Sequence, residues 1–196
     1  MKIVILDGFD NESLMQNVIK DTLDNKTFTY NYFKLCDYKI SPCSSCASCN
    51  EKTPGRCTIN VEHESIIKEI ANCDLLVFLT PIRYGAYSST LKKIIDRFML
   101  IGTPLYTVKK GFLLHKMRYT LKGMLTIGEI DKTLHYSYKS IKSFELLSNR
   151  NALNMNLKVD TFVYDAKDAT HNLKSNFVHF MNNSDLLSDY NEVKYD

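Results

Sequence analysis

No stretch of this chain approaches the roughly 18 consecutive apolar residues of a membrane-spanning helix. The early run Ile3-Val4-Ile5-Leu6 stops at Asp7 and is too short for the apolar region of a secretory signal. Neither sign of charge dominates. The 25 Lys and Arg against 22 Asp and Glu leave a net charge of +3, too small and too dispersed for a nucleic-acid surface. Internal repeats and low-complexity tracts are also missing. These absences lead us to expect a soluble, cytoplasmic protein with no nucleic-acid or membrane partner. The 196 residues, 44% hydrophobic and 24% charged, suit a single domain over 1–196 with a substantial core.

A disulfide framework is not expected either, because the six cysteines come without a secretory signal. Four of them, Cys43, Cys46, Cys49 and Cys57, crowd into fifteen residues of a loop at 36–60, which favours metal or redox chemistry. Cys36 stands apart, and Cys73, just before an apolar run, reads as core.

Apolar runs alternate with helical patterns, the signature of a parallel sheet covered on both faces. Ile3 to Leu6 and Leu75 to Leu79 are unbroken, and Gly123 to Ile127 nearly so, as suits strands buried on both sides. Phe28, Tyr30 and Tyr32 alternate with polar residues, and Leu157, Val159 and Thr161 do so less cleanly, as suits half-exposed edge strands. Interior strands one, three and four with edge strands two and five give an α/β, flavodoxin-like three-layer sandwich, its five-stranded parallel sheet in the order 2-1-3-4-5.

Leu14, Val18 and Leu23 line a first helix. Asn60 can cap one carrying Ile66, Ile67 and Ile70. Ser88 or Ser89 can cap another with Leu91, Ile94, Ile95, Phe98 and Met99 inward and Lys92, Lys93, Asp96 and Arg97 outward. Residues 132–150 and 170–182 supply the last two helices. The insertion at 102–119 is long for a loop and suits a lid or a subunit contact.

Ligands of open α/β sheets bind outside the carboxyl ends of the strands. Of the loops that reach that edge, Thr80 to Ser88 says most: Pro81 sets a rigid turn, Tyr84 offers a flat ring and Gly85 permits close approach. It reads either as a platform for a planar ring or as a tight strand-to-helix turn with an incidental tyrosine.

The stretch Thr80 to Arg97, TPIRYGAYSSTLKKIIDR, resembles the ring-binding loop and following helix of the NAD(P)H-dependent FMN reductase-like flavodoxin family. Pro42 to Cys57, PCSSCASCNEKTPGRC, resembles the loop of that family's iron-sulfur flavoprotein branch. His115, Arg118 and Tyr119 are similar to a pattern in some relatives. The resemblance implies bound FMN, a two-electron donor such as NAD(P)H or a reduced carrier, and a homodimer or homotetramer. It places the flavin ring on Thr80, Pro81, Ile82, Arg83, Tyr84 and Gly85, with Thr126, Ile127 and Gly128 near its pyrimidine side. It places the phosphate at Gly8, Asn11, Ser13 and Leu14, where a helix start offers N–H groups. In that loop Phe9 stands where the family has serine, the arginine is missing, and Asp7, Asp10 and Glu12 bring negative charge. Arg83 and Arg118 are candidates to meet an anionic substrate or nicotinamide phosphate. His115 is a candidate proton donor or a cover for the site.

Thiolates two residues apart on a loop converge readily, and small Ser44, Ser45, Ala47 and Ser48 let the backbone wrap, with Pro54-Gly55 turning Cys57 back. Four such thiolates suit a [4Fe–4S] cluster or zinc, the triple run favouring iron–sulfur. Free, oxidisable thiols are the third possibility. The expected function is an FMN-dependent oxidoreductase passing electrons from NAD(P)H or a reduced carrier to an acceptor, with a [4Fe–4S] cluster as one route. The alternative is a non-enzymatic cysteine-loop redox carrier or sensor with a degenerate flavin site.

Overall fold

The computed structural model describes residues 1–25, 28–59, 62–109, 111–119 and 121–186. Its main sheet holds β1 (Lys2–Asp7), β2 (Thr29–Lys34), β3 (Leu75–Pro81), β6 (Gly123–Ile130) and β7 (Lys158–Asp165), in the order β2-β1-β3-β6-β7. All four pairings are parallel. This is the flavodoxin-like arrangement expected from the strand patterning, with the unbroken apolar runs inside and the alternating ones at the edges.

The two-residue period of the strands divides the core. Val4, Leu6, Leu76, Phe78 and Met124 face one side, where they pack with α3 (Glu64–Ala71), α4 (Ser89–Ile95) and α5 (Ser137–Asn154) through Ile66, Ile70, Leu91, Ile94 and Phe144. Ile3, Ile5, Leu75, Val77 and Leu125 face the other, against α1 (Leu14–Asp24) and α6 (Thr170–Asn183) through Met15, Val18, Leu173 and Phe177. Each buried aliphatic or aromatic side chain stabilises the fold by about 1.5–3 kcal/mol. Tyr87 sits edge-on to both Phe78 and Phe144, at 5.6 and 5.5 Å between centroids, and so ties the loop after β3 to α5.

Several sequence expectations are corrected. The insertion at 102–119 is not a loop: Gly102–Lys109 (β4) and Phe112–Met117 (β5) form an antiparallel hairpin. Leu14 is exposed, and Met15 and Ile19 line α1 with Val18 and Leu23 instead. The helix from Ser89 ends at Ile95 and passes into a 3₁₀ turn at Phe98–Leu100, leaving Met99 exposed. Arg97, expected on the outer face, is buried where the chain turns. β6 runs on to Ile130, three residues beyond the apolar run read as a strand, so Gly128 joins Thr126 and Ile127 inside the sheet. α5 starts at Ser137, five residues later than expected. The Asn60 cap lies outside the described residues. Among these residues no helix is long and apolar enough to cross a membrane.

Candidate flavin and cysteine sites

The sheet order reverses between β1 and β3, and three segments meet at the carboxyl ends there. The Gly8 amide donates to the Leu79 carbonyl at 2.7 Å, the Ser88 hydroxyl donates to the Gly8 carbonyl at 2.6 Å, and the Ile82 amide donates to the Glu129 carbonyl at 2.8 Å. Gly8 must be glycine, because a Cβ there falls 2.7 Å from both Leu91 Cβ and Ser88 Oγ. Ser88 also caps α4, its oxygen accepting from the Leu91 amide.

Within the Thr80 to Ser88 loop, Arg83 and Ala86 exchange both backbone hydrogen bonds at 2.9 Å and close a turn over Tyr84 and Gly85. Both central residues have positive φ, 52° and 75°, as a primed turn requires. Gly85 packs so closely on α5 that a Cβ would lie 2.7 Å from Ser143 Cβ. Tyr84 has no such excuse: a tyrosine is held in the left-handed region with its side chain 97% exposed. A strained, fully presented aromatic is the type of feature that clusters at ligand sites. The turn's two bonds use the amides of Arg83 and Ala86 and not those of Tyr84 and Gly85, which suits recognition of a ring's polar edge. A shallow depression of about 350 Å³ bounded by Tyr84, Tyr136, Lys139, Ser140 and Ser143 adjoins the turn.

The other ring-site residues are placed as follows. Thr80 is buried and structural, its hydroxyl accepting from the Ser88 amide at 3.0 Å and lying 3.0 Å from the Pro81 carbonyl. Ile82 is buried and Arg83 exposed. Thr126 and Ile127 are fully buried, and Gly128 is overlaid by Phe144 and Ile82. The side chains of Thr126 and Ile127 are therefore not presented at the sheet edge.

The first loop differs more from a phosphate cradle. Phe9 turns inward and joins the α1–α6 core. Asp7 is buried and accepts from the Phe9 amide, Gln16 Nε2 and the Tyr32 hydroxyl at 2.9, 2.7 and 2.7 Å. Burial pushes its carboxyl up, and those three hydrogen bonds oppose the shift. Asp10, Asn11 and Glu12 are exposed, and the Thr90 hydroxyl donates to Asp10 at 2.7 Å. Ser13 caps α1 in a reciprocal arrangement with Gln16. The ring end fits a flavin; the phosphate end does not present the free hydroxyls and cations that a phosphate prefers.

Cys43, Cys46, Cys49 and Cys57 all line one cavity of about 400 Å³, closed below by Asn50, Asp96, Arg97, Met99 and Leu100. Ser45 and Ala47, on either side of Cys46, both adopt positive φ, and α2 (Ser48–Glu51) follows directly. The Gly55 amide donates to the Cys49 carbonyl at 3.0 Å, which turns Cys57 back toward the others. All four thiols are free. Burial raises the Cys49 thiol, and the charges of Cys43, Cys57 and Cys46 add to that rise. Hydrogen bonds from Ser48 lower Cys46. Among the described residues no three His, Cys, Asp or Glu side chains converge as a single-ion site.

Three polar residues around this cavity were not visible from sequence as functional candidates. Arg97 is only 3% exposed, bonds to the Lys93 carbonyl and Ser41 hydroxyl, and leaves Nε without a partner among the described residues. Asn50 Oδ1 is buried without a partner too, as are both ring nitrogens of His63. Burial first, and then the Arg97 charge, lower the His63 pKa to about 4. Asp96 is taken by Lys92, and among the described residues no carboxylate forms a salt bridge with this buried guanidinium. A buried charge without a counter-ion is costly. The cysteine cavity and the Tyr84 turn lie at opposite ends of α4, whose seven residues rise about 10 Å.

Residues 1–125 match the family model described as NADPH-dependent FMN reductase. The chain belongs to the NADPH-dependent FMN reductase family. It is an oxidoreductase of that NAD(P)H- and FMN-dependent kind. It is 23% identical over 164 residues to an iron-sulfur flavoprotein of Methanocaldococcus jannaschii, covering 69% of this chain and 80% of that one. It is 25% identical over 156 residues to a Bacillus subtilis protein named as an NAD(P)H-dependent FMN-containing oxidoreductase, covering 74% and 84%. In fold it is similar to an NAD(P)H:quinone oxidoreductase from Methanothermobacter marburgensis, with a TM-score of 0.66 at 11% identity over 92% of this chain and 95% of that one.

Of the hairpin residues, Arg118 lies beside the cysteine loop, its Nε 4.0 Å from where a Cβ on Gly55 would sit. His115 Nδ1 lies 2.9 Å from the Thr103 carbonyl and its ring stacks on Tyr106 at 4.4 Å. Arg118 Nε donates to the Gly102 carbonyl at 2.9 Å, and Tyr119 is exposed. The geometry gives His115 and Arg118 hairpin-fixing contacts.

Proposed function

We propose that this family member binds the flavin ring on the Pro81 to Gly85 turn and passes electrons from NAD(P)H or a reduced carrier to a separate acceptor. The observation that carries this is the strained Tyr84–Gly85 turn, presented at the switch point and locked to β6 by the Ile82–Glu129 bond. Bound flavin supplies the hydride and electron chemistry. The chain supplies position: the turn fixes the ring's depth, the amides of Tyr84 and Gly85 face its polar edge, and Tyr84 covers one side. No side chain is required as an acid or base.

The four cysteines match a [4Fe–4S] cluster in donor type and number, two of them exposed and two half-buried at one cavity. What supports this reading is that all four thiols border one cavity. Arg97 supplies buried positive charge beside thiolates that need it. The exposed Leu105, Val108 and Leu113 of the hairpin, each more than 60% accessible, support assembly into a homodimer or homotetramer.

The test is oxidation of NADH and NADPH by anaerobically purified protein with FMN and a quinone or ferric acceptor. Acceptor-dependent turnover that falls at least tenfold in Tyr84→Ala supports this function. Turnover that is unchanged in that variant, or absent with every acceptor, contradicts it.

A further inference from the structure

The start of α1 already holds an anion of the chain's own. Glu129, at the end of β6, extends its carboxylate to the α1 cap: Glu129 Oε2 accepts from the Tyr164 hydroxyl at 2.7 Å and from the Ser13 hydroxyl at 3.1 Å, with the two hydroxyls 2.9 Å apart. Ser13 Oγ meanwhile accepts from the Met15 amide at 3.3 Å. Tyr164 is buried, and burial together with the Glu129 charge keeps its phenol protonated as a donor. A helix N-terminus favours one negative group, and here that group is a carboxylate fixed from a strand 116 residues away. Asp7, Asp10 and Glu12 add acid nearby, and residues 7–13 contain no lysine or arginine.

We infer that Glu129 is a specificity-determining residue that stands in for the flavin phosphate, so that this site binds riboflavin at least as well as FMN. A dianionic tail brought to the α1 cap meets the Glu129 carboxylate and finds Ser13 already committed. A neutral ribityl tail meets neither penalty. Flavin would then be held by its ring, on the Pro81 to Gly85 turn, and would exchange as a substrate. This inference rests on the ring-binding function proposed above.

The experiment is a fluorescence titration of wild type and Glu129→Gln with riboflavin and with FMN, at low and high salt. Glutamine keeps an oxygen for Tyr164 and Ser13 while removing the charge. Wild type is expected to bind FMN no more tightly than riboflavin. Glu129→Gln is expected to tighten FMN binding about tenfold and leave riboflavin within about twofold. Salt should narrow the difference in wild type by screening; that measurement stands if the variant folds poorly. A wild-type preference of tenfold or more for FMN, or equal effects of the variant on both flavins, overturns the inference. Failure of wild type to bind riboflavin and FMN alike overturns the ring-binding function itself, and the inference with it.

Discussion

The Ser88 hydroxyl donates to the Gly8 carbonyl at 2.6 Å while its oxygen caps α4 through the Leu91 amide. One buried side chain thus joins the loop after β1 to the helix after β3, across the point where the sheet reverses. Ser88→Ala leaves a buried carbonyl and a helix amide unpaired. It should cost about 1–3 kcal/mol and weaken flavin binding by loosening Gly8. Denaturant unfolding and flavin titration of the same sample check both; an unchanged midpoint contradicts the cap.

Gly85 and Tyr84 separate the turn's shape from its ring. Gly85→Ala places a Cβ 2.7 Å from Ser143 Cβ at a φ of +75° and should cost about 1–3 kcal/mol, with flavin binding lost. Tyr84→Ala removes a side chain with almost no contacts. Stability should stay within about 0.5 kcal/mol while flavin affinity falls. Thermal melts beside titrations distinguish the two, and a Tyr84→Ala protein with wild-type affinity removes the tyrosine from the site.

The cysteine cavity and the flavin turn are at opposite ends of α4, so they should fail independently. Cys49→Ser or Cys57→Ser should abolish anaerobic iron incorporation while leaving flavin binding within about twofold, a difference below 0.5 kcal/mol. Iron analysis and the visible spectrum read the first, titration the second. Wild-type protein that takes up no iron without oxygen contradicts the cluster.

His63 makes stability depend on pH. Its native pKa is lowered to about 4, by burial and the Arg97 charge, from 6.5. Above 6.5 both states hold it neutral and its contribution is complete. As pH falls from 6.5 toward 4 the unfolded chain binds a proton that the native state refuses, so stability falls, by up to about 3 kcal/mol. Below about 4 this group adds no further loss. Asp7, whose carboxyl is raised by burial, acts with the opposite sign, so the difference between wild type and His63→Leu isolates the histidine. Urea midpoints for both across that range test it; parallel curves contradict it.

The sheet could be read from the chain because its evidence is local: unbroken apolar runs for buried strands and alternation at the edges. The Tyr84–Gly85 turn was legible for the same reason, with proline, aromatic and glycine within five residues. The hairpin was not, because Leu105, Val108 and Leu113 are exposed and Leu114 alone of its large apolar side chains is fully buried, so its pattern shows no regular alternation. The extension of β6 through Gly128 and Glu129 was missed because neither residue favours strands; pairing with β3 and β7 on both sides overrides propensity there. Arg97 looked like the solvated end of an amphipathic helix, and only the cysteine loop folding over it buries the charge. Glu129 meeting Ser13 joins residues 116 apart in sequence, a contact no spacing rule reaches.

Titration of wild type and Tyr84→Ala with FMN and riboflavin, followed by flavin fluorescence, tests the ring-binding turn most directly. Saturable binding by wild type with a Kd on the order of micromolar, about −8 kcal/mol, weakened at least tenfold in Tyr84→Ala, is the predicted result. No binding of either flavin at tens of micromolar, on the order of −6 kcal/mol or weaker, contradicts it.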